Sequence, residues 1–140
     1  MFRKLAQLHR EFRLRQQLKN DRVDWNQIKN VLENSEIVYT GLAGSLPSVP
    51  IQINALDYLA ENHSDPEEVL FKELQSTKSN VVLVGYCLVG LQRLRSSKIF
   101  HLPESILTSE DTVKFVYGTR MIESKVRTFV EGIIQGAENA

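Results

Sequence analysis

The chain has 140 residues, 42% of them hydrophobic and 24% charged, with 17 basic and 17 acidic side chains that cancel. That is the length of one domain and the composition of a globular one, and it offers no global field toward nucleic acid or a membrane. A single cysteine, Cys87, excludes a disulfide framework, and no apolar run reaches the ~18 residues that a membrane span needs.

Charges also interrupt every apolar stretch near the N-terminus before a signal-peptide core could form, so a cytoplasmic location is expected. The charge is nonetheless uneven. Residues 1–22 carry seven basic side chains against Glu11 and Asp21, a net of +5 that leaves −5 for the rest. Phe2, Leu5, Leu8 and Phe12 stand three, three and four apart, the spacing of one helix face, and are expected to point inward, with Leu14 and Leu18 extending the helix. Asn20-Asp21 marks a break. Asp24 and Gln27 form a capping box for a second helix whose apolar face is Trp25, Ile28, Val31 and Leu32.

From Glu36 the sequence repeats itself. Residues 36–62, moved forward by 32 positions, fall on residues 68–94 without a gap, matching Leu42 with Leu74, Val49 with Val81, Leu56 with Leu88 and Leu59 with Leu91. Similar pairs surround these identities: Ile37/Val69, Val38/Leu70, Tyr39/Phe71, Ile51/Leu83 and Ala55/Cys87. Each unit reads as two helices. In the first, Ser35 caps a helix with Ile37, Val38, Tyr39 and Leu42 inward, residues 44–47 turn, and Ser48 caps a helix to about Asn62. In the second, Asp65, Pro66 and Glu68 open a helix over 66–75, and Asn80 opens the longest apolar helix, to about Arg95.

Residues 96–108 read as a loop with one helical turn at 104–107. Ser109 then caps a helix with Val113, Phe115 and Val116, Gly118 allows a break, and a last helix carries Met121, Ile122, Val126, Phe129, Val130, Ile133 and Ile134 before residues 136–140 fray. The second helices, SVPIQINALDYLAENHSD and NVVLVGYCLVGLQRLRSS, resemble the second helix of HEAT repeats, and Lys125–Ile134 resembles it more weakly. The resemblance implies an all-α fold: a short HEAT-like helical-repeat stack of about seven helices wound as a right-handed superhelix. It divides the single domain into N-terminal helices (1–34), two HEAT-like units (35–95), and a loop plus degenerate unit (96–140).

Little in the chain suggests chemistry. His9, His63 and His101 lack metal-ligand spacing, and Gly41–Ser45 lacks the Gly-Lys-Ser/Thr ending of a phosphate loop. Cys87 shares its repeat position with Ala55 and reads as a buried small hydrophobe. No enzyme activity, cofactor or metal is expected.

The wheel of the second helices supplies the candidate site. Turning Val49, Gln52, Leu56 and Leu59 inward leaves Pro50, Asn54, Asp57 and Glu61 outward, with repeat mates Val82, Tyr86, Val89 and Arg93 in register and Arg127 and Glu131 on the last helix. HEAT-like stacks line their concave face with second helices, so Tyr86 is expected at the centre of a partner-binding face with a charged rim. The competing reading buries helix 80–95 on all sides. The expected function is a non-enzymatic protein-binding module of adaptor or inhibitor type, similar to bacterial immunity proteins that neutralise a toxin. Membrane binding is not expected. The alternative is binding of nucleic acid or an anionic surface through the basic first helix.

Overall fold

The computed structural model describes residues 2–20, 22–41, 49–76 and 79–139. Leu42, the turn at 44–47 and the Ser48 cap lie outside them, as do Asp21 and residues 77–78 of two expected breaks.

Helix α5 (Val81–Arg93) sits at the centre, because nine consecutive residues from Leu83 to Leu91 are buried. Such a helix has no polar face to show to water, so other elements must wrap it. Around it pack α2 (Trp25–Glu33), α4 (Pro66–Gln75), α7 (Val126–Glu138), strands β1 (Val38–Tyr39) and β2 (Thr112–Tyr117), and a 3-10 turn (Ser97–His101). Two glycines allow the closest approaches. A Cβ at Gly85 would lie 2.6 Å from Val38 Cγ2, and one at Gly90 would lie 2.6 Å from Leu70 Cδ1 and 3.3 Å from Leu56 Cδ2.

Three of the caps read from sequence, Asp24, Asp65 and Asn80, are present, whereas Ser35 and Ser109 precede strands and cap no helix. Asp24 Oδ1 accepts from Gln27 N (2.9 Å) while Gln27 Oε1 accepts from Asp24 N (2.9 Å), and Asp65 Oδ1 accepts from Glu68 N (3.2 Å). Asn80 accepts from Leu83 N (2.8 Å) and donates to the Glu33 carbonyl (2.7 Å), joining the end of α2 to the start of α5. Helix α3 (Ile51–Asn62) follows its expected wheel: Gln52, Ala55, Leu56 and Leu59 are buried, and Asn54 and Glu61 are exposed.

The all-helical expectation fails in two places. Val38 and Tyr39, expected in a helix, form β1, and residues expected in helices at 109–117 and 121–125 form β2 and β3 (Arg120–Lys125). The result is an α-rich protein with a three-stranded sheet in the order β1-β2-β3, β1 parallel to β2 and β2 antiparallel to β3. The cause is local chemistry. Thr112–Tyr117 is rich in β-branched and aromatic residues, and Val113 and Phe115 alternate with exposed Thr112 and Lys114. Gly118, read as a break between helices, takes φ +62° between paired Tyr117 and Arg120, the positive value a two-residue hairpin turn requires.

Helix α7 then starts directly from β3, its Val126 and Arg127 N–H groups donating to the carbonyls of Asp111 (2.8 Å) and Ser109 (3.2 Å). It continues to Glu138, past the point where fraying was expected. The Phe115 and Phe129 rings, centroids 4.7 Å apart, tie the sheet to this helix.

Candidate interaction surface

Tyr86 is 0% exposed, and so is Val89. The binding face expected around them is therefore the interior of the protein. The wheel that turned them outward assumed a helix with one buried side, whereas α5 is covered on all of its sides. The Tyr86 hydroxyl donates to the Ile37 carbonyl (2.7 Å) and accepts from the Tyr39 N–H (3.2 Å), so the phenol fixes the chain entering β1. Burial pushes its pKa up, and burial does the same to the Cys87 thiol, which has no access to solvent. Val82 is half-buried at the start of α5.

The remaining expected residues are dispersed. Arg93 reaches across to α3, its Nε and Nη2 donating to the Asp57 carboxylate at 3.0 and 2.9 Å. That pair lies near the surface and is worth no more than about 1 kcal/mol. Arg127 pairs with Glu110 (3.0 Å), whose carboxyl is held below its usual range by the Lys125 hydrogen bond. Glu131 is exposed on α7. Asn54, Asp57 and Glu61 do share a cleft of about 460 Å³, but with Arg15 and Lys19 of α1 (Phe2–Asn20) rather than with Tyr86.

Tyr117 and Met121 are exposed on the hairpin, and Phe100 and Leu107 near it in sequence, but three exposed large hydrophobics share one helix on α1. Leu5, Leu8 and Phe12 are 60%, 61% and 62% exposed, although their spacing reads as a core stripe. The helix has two half-apolar faces. The line through residues 5, 8, 12, 15 and 19 runs Leu, Leu, Phe, Arg, Lys, while that through 7, 11, 14 and 18 runs Gln, Glu, Leu, Leu.

The second line faces the body. Leu14 is 1% exposed, Leu18 packs against the core, and Gln7 Nε2 donates to the Val31 carbonyl (3.1 Å) and the Ser35 hydroxyl (3.2 Å). Ser35 also accepts from buried Gln52 (3.1 Å), so a polar junction joins α1, α2 and α3. Glu11, on the same side, has its pKa raised by burial, against the opposing effects of the Gln7 hydrogen bond and the Arg15 charge.

With its inner face so held, α1 must show the first line to solvent. Lys4, His9, Arg13 and Lys19 are exposed around the three apolar side chains, and Arg15 is half-buried. The sequence signal was present and missed: a stripe that continues into Arg15 and Lys19 is a poor candidate for a core face.

A second hollow of about 460 Å³ lies between the sheet and α7, walled by Phe115, Ile122, Phe129 and Ile133 over Gly132. Among the described residues, no group of three or more His, Cys, Asp or Glu side chains is placed to hold a metal ion, and no helix is long and apolar enough to cross a membrane. No protein-family model, curated protein or solved structure matches the chain significantly.

Proposed function

We propose that the protein is a non-enzymatic binding module whose working surface is the outer face of α1. The observation that carries this is the exposure of Leu5, Leu8 and Phe12, at about 60% each, on a helix anchored from behind by Leu14 and Gln7. A row of large apolar side chains held toward water is what interaction sites present. The surrounding cations make the fitting partner an anionic one. Ala55/Cys87, Leu56/Leu88 and Leu59/Leu91 are all buried, but Val38–Tyr39 is a strand where the first unit needed a helix, so the HEAT-like resemblance carries no part of this reading.

An acidic protein, as an inhibitor or adaptor would bind, is the second reading. The mixed-charge cleft of Asn54, Asp57, Glu61, Arg15 and Lys19 beside α1 favours it as a polar rim. The test is a photo-crosslinking side chain placed at position 8 or 12 in the native cell, with exposed Gln75 on α4 as the control position. Adducts from α1 well above the control are the expected result. Equal, background-level labelling at all three positions would sink the proposal.

A further inference from the structure

Resting on that reading of α1, we infer that its partner is an anionic phospholipid bilayer, with α1 lying in the interface plane and Leu5, Leu8 and Phe12 inserted between headgroups. On the helical wheel these three span about 60° of arc. Lys4 and Arg15 border them on one side and His9 and Arg13 on the other, and Lys19 stands in line beyond Phe12. That is the pattern of an interfacial helix: apolar side chains reach the acyl boundary while flanking Lys and Arg extend their charges to the phosphates. The outer arc holds no acidic residue, because Glu11, the one carboxylate of α1, turns toward the body and is bonded to Gln7.

The shape of the surface favours lipid over protein. Protein partners anchor by filling hollows. Three hollows bordering α1 among the described residues lie on its flanks, are lined chiefly by polar and charged side chains, and include none of Leu5, Leu8 and Phe12. What remains is an exposed apolar ridge without a hollow of its own to receive a partner's side chain, which a fluid acyl layer can surround. A second copy of the chain, docked ridge to ridge, would set a helix of net charge +5 against its equal. Nucleic acid fits poorly, because the ridge splits the cations that would track phosphates. The sequence expectation of no membrane binding rested on overall neutrality and on span length, and neither bears on a locally basic helix lying upon a bilayer.

The experiment is co-sedimentation of the full chain with vesicles of phosphatidylglycerol and phosphatidylcholine (1:1), beside vesicles of phosphatidylcholine alone. Binding should be at least about tenfold tighter to the anionic vesicles, since each basic residue near the surface contributes about fivefold. Lys4→Gln and Arg15→Gln should each weaken it by about that factor. The triple change Leu5→Ala, Leu8→Ala, Phe12→Ala should weaken it at least about a hundredfold with no drop in unfolding temperature.

No sedimentation with anionic vesicles at low salt overturns the inference, and so does undiminished binding by the triple variant. If the crosslinker at position 8 instead captures an acidic protein while vesicles fail, the lipid assignment falls and α1 remains the working surface. If both experiments fail, both readings fall.

Discussion

Replacing Tyr86 by alanine tests whether α5 is the core of this protein or part of its surface. The ring is 0% exposed, and truncating a buried aromatic costs about 3–5 kcal/mol. The hydroxyl carries a separate share, because it satisfies both the Ile37 carbonyl and the Tyr39 N–H. Tyr86→Phe keeps the packing and removes those two bonds. At about 0.5–1.5 kcal/mol each, moderated because Ile37 and Tyr39 are only half-buried, the expected loss is about 1–2 kcal/mol.

In a domain of this length 1 kcal/mol lowers the unfolding temperature by about 3–4 °C, so the alanine variant should lose about 9–20 °C and the phenylalanine variant about 3–8 °C. Thermal and urea unfolding followed by circular dichroism measure the temperature and the free energy for both variants. Amide exchange at Tyr39 should also quicken in the phenylalanine variant, because β1 loses its tether. A loss below about 1 kcal/mol for Tyr86→Ala would place the ring at the surface and refute the packing described.

Gly85→Ala should destabilise by about 1–2 kcal/mol after the helix-propensity gain, since the new methyl meets the stiff, β-branched Val38. Gly90→Ala meets the rotatable end of Leu70 and should change stability by less than about 1 kcal/mol. A reversed order in urea unfolding contradicts this packing. Arg95 closes α5 at φ +53°, with Arg95 N donating to Gln92 O and Ser96 N to Leu91 O, so Arg95→Gly should stabilise by about 0.5–1 kcal/mol. Unchanged or lower stability would place position 95 outside the left-handed region.

Glu73 holds Trp25 Nε1 (3.1 Å), Lys29 Nζ (3.1 Å) and Ser79 Oγ (3.1 Å). Burial raises its pKa, but these partners together outweigh burial and leave it below the ordinary 4.5. A depressed carboxyl contributes stability that is present above its unfolded pKa and lost as pH falls through the folded one. Glu73→Gln should therefore be less stable at pH 7 and show a flatter loss below about pH 4.5. Parallel acid limbs for variant and wild type would exclude this role.

The helices that were legible from sequence were those with local punctuation. Asp24 with Gln27, Asp65 with Pro66, and Asn80 each announce a helix start through their own side chains, and all three starts are where they were expected. The misplaced elements depend on distant partners. Val38-Tyr39 becomes a strand because β2, more than 70 residues later, pairs with it. Phe115 and Ile122 belong to a hairpin whose signals, a β-branched run and a Gly-Thr turn, are local, while the apolar spacing of the same residues also fits a helix.

For the candidate site the error lay in assigning faces. Periodicity finds an apolar stripe but does not say which of two stripes a helix will bury. On α1 the choice fell to Leu14, Leu18 and the Gln7 junction, which left Leu5, Leu8 and Phe12 outside. On α5 there was no outer face to find.

The exposure of that ridge is directly measurable with a thiol probe, because the only native cysteine, Cys87, is buried and should stay silent in the folded protein. Leu8→Cys and Leu14→Cys stand about 120° apart around α1, one exposed and the other buried, and each can be reacted with a thiol reagent under native conditions. The cysteine at position 8 should react nearly as fast as a free thiol, and the one at position 14 at a rate limited by unfolding or local opening. Protection at position 8, or equal reactivity at the two positions, would contradict the orientation of α1 and the binding surface built on it.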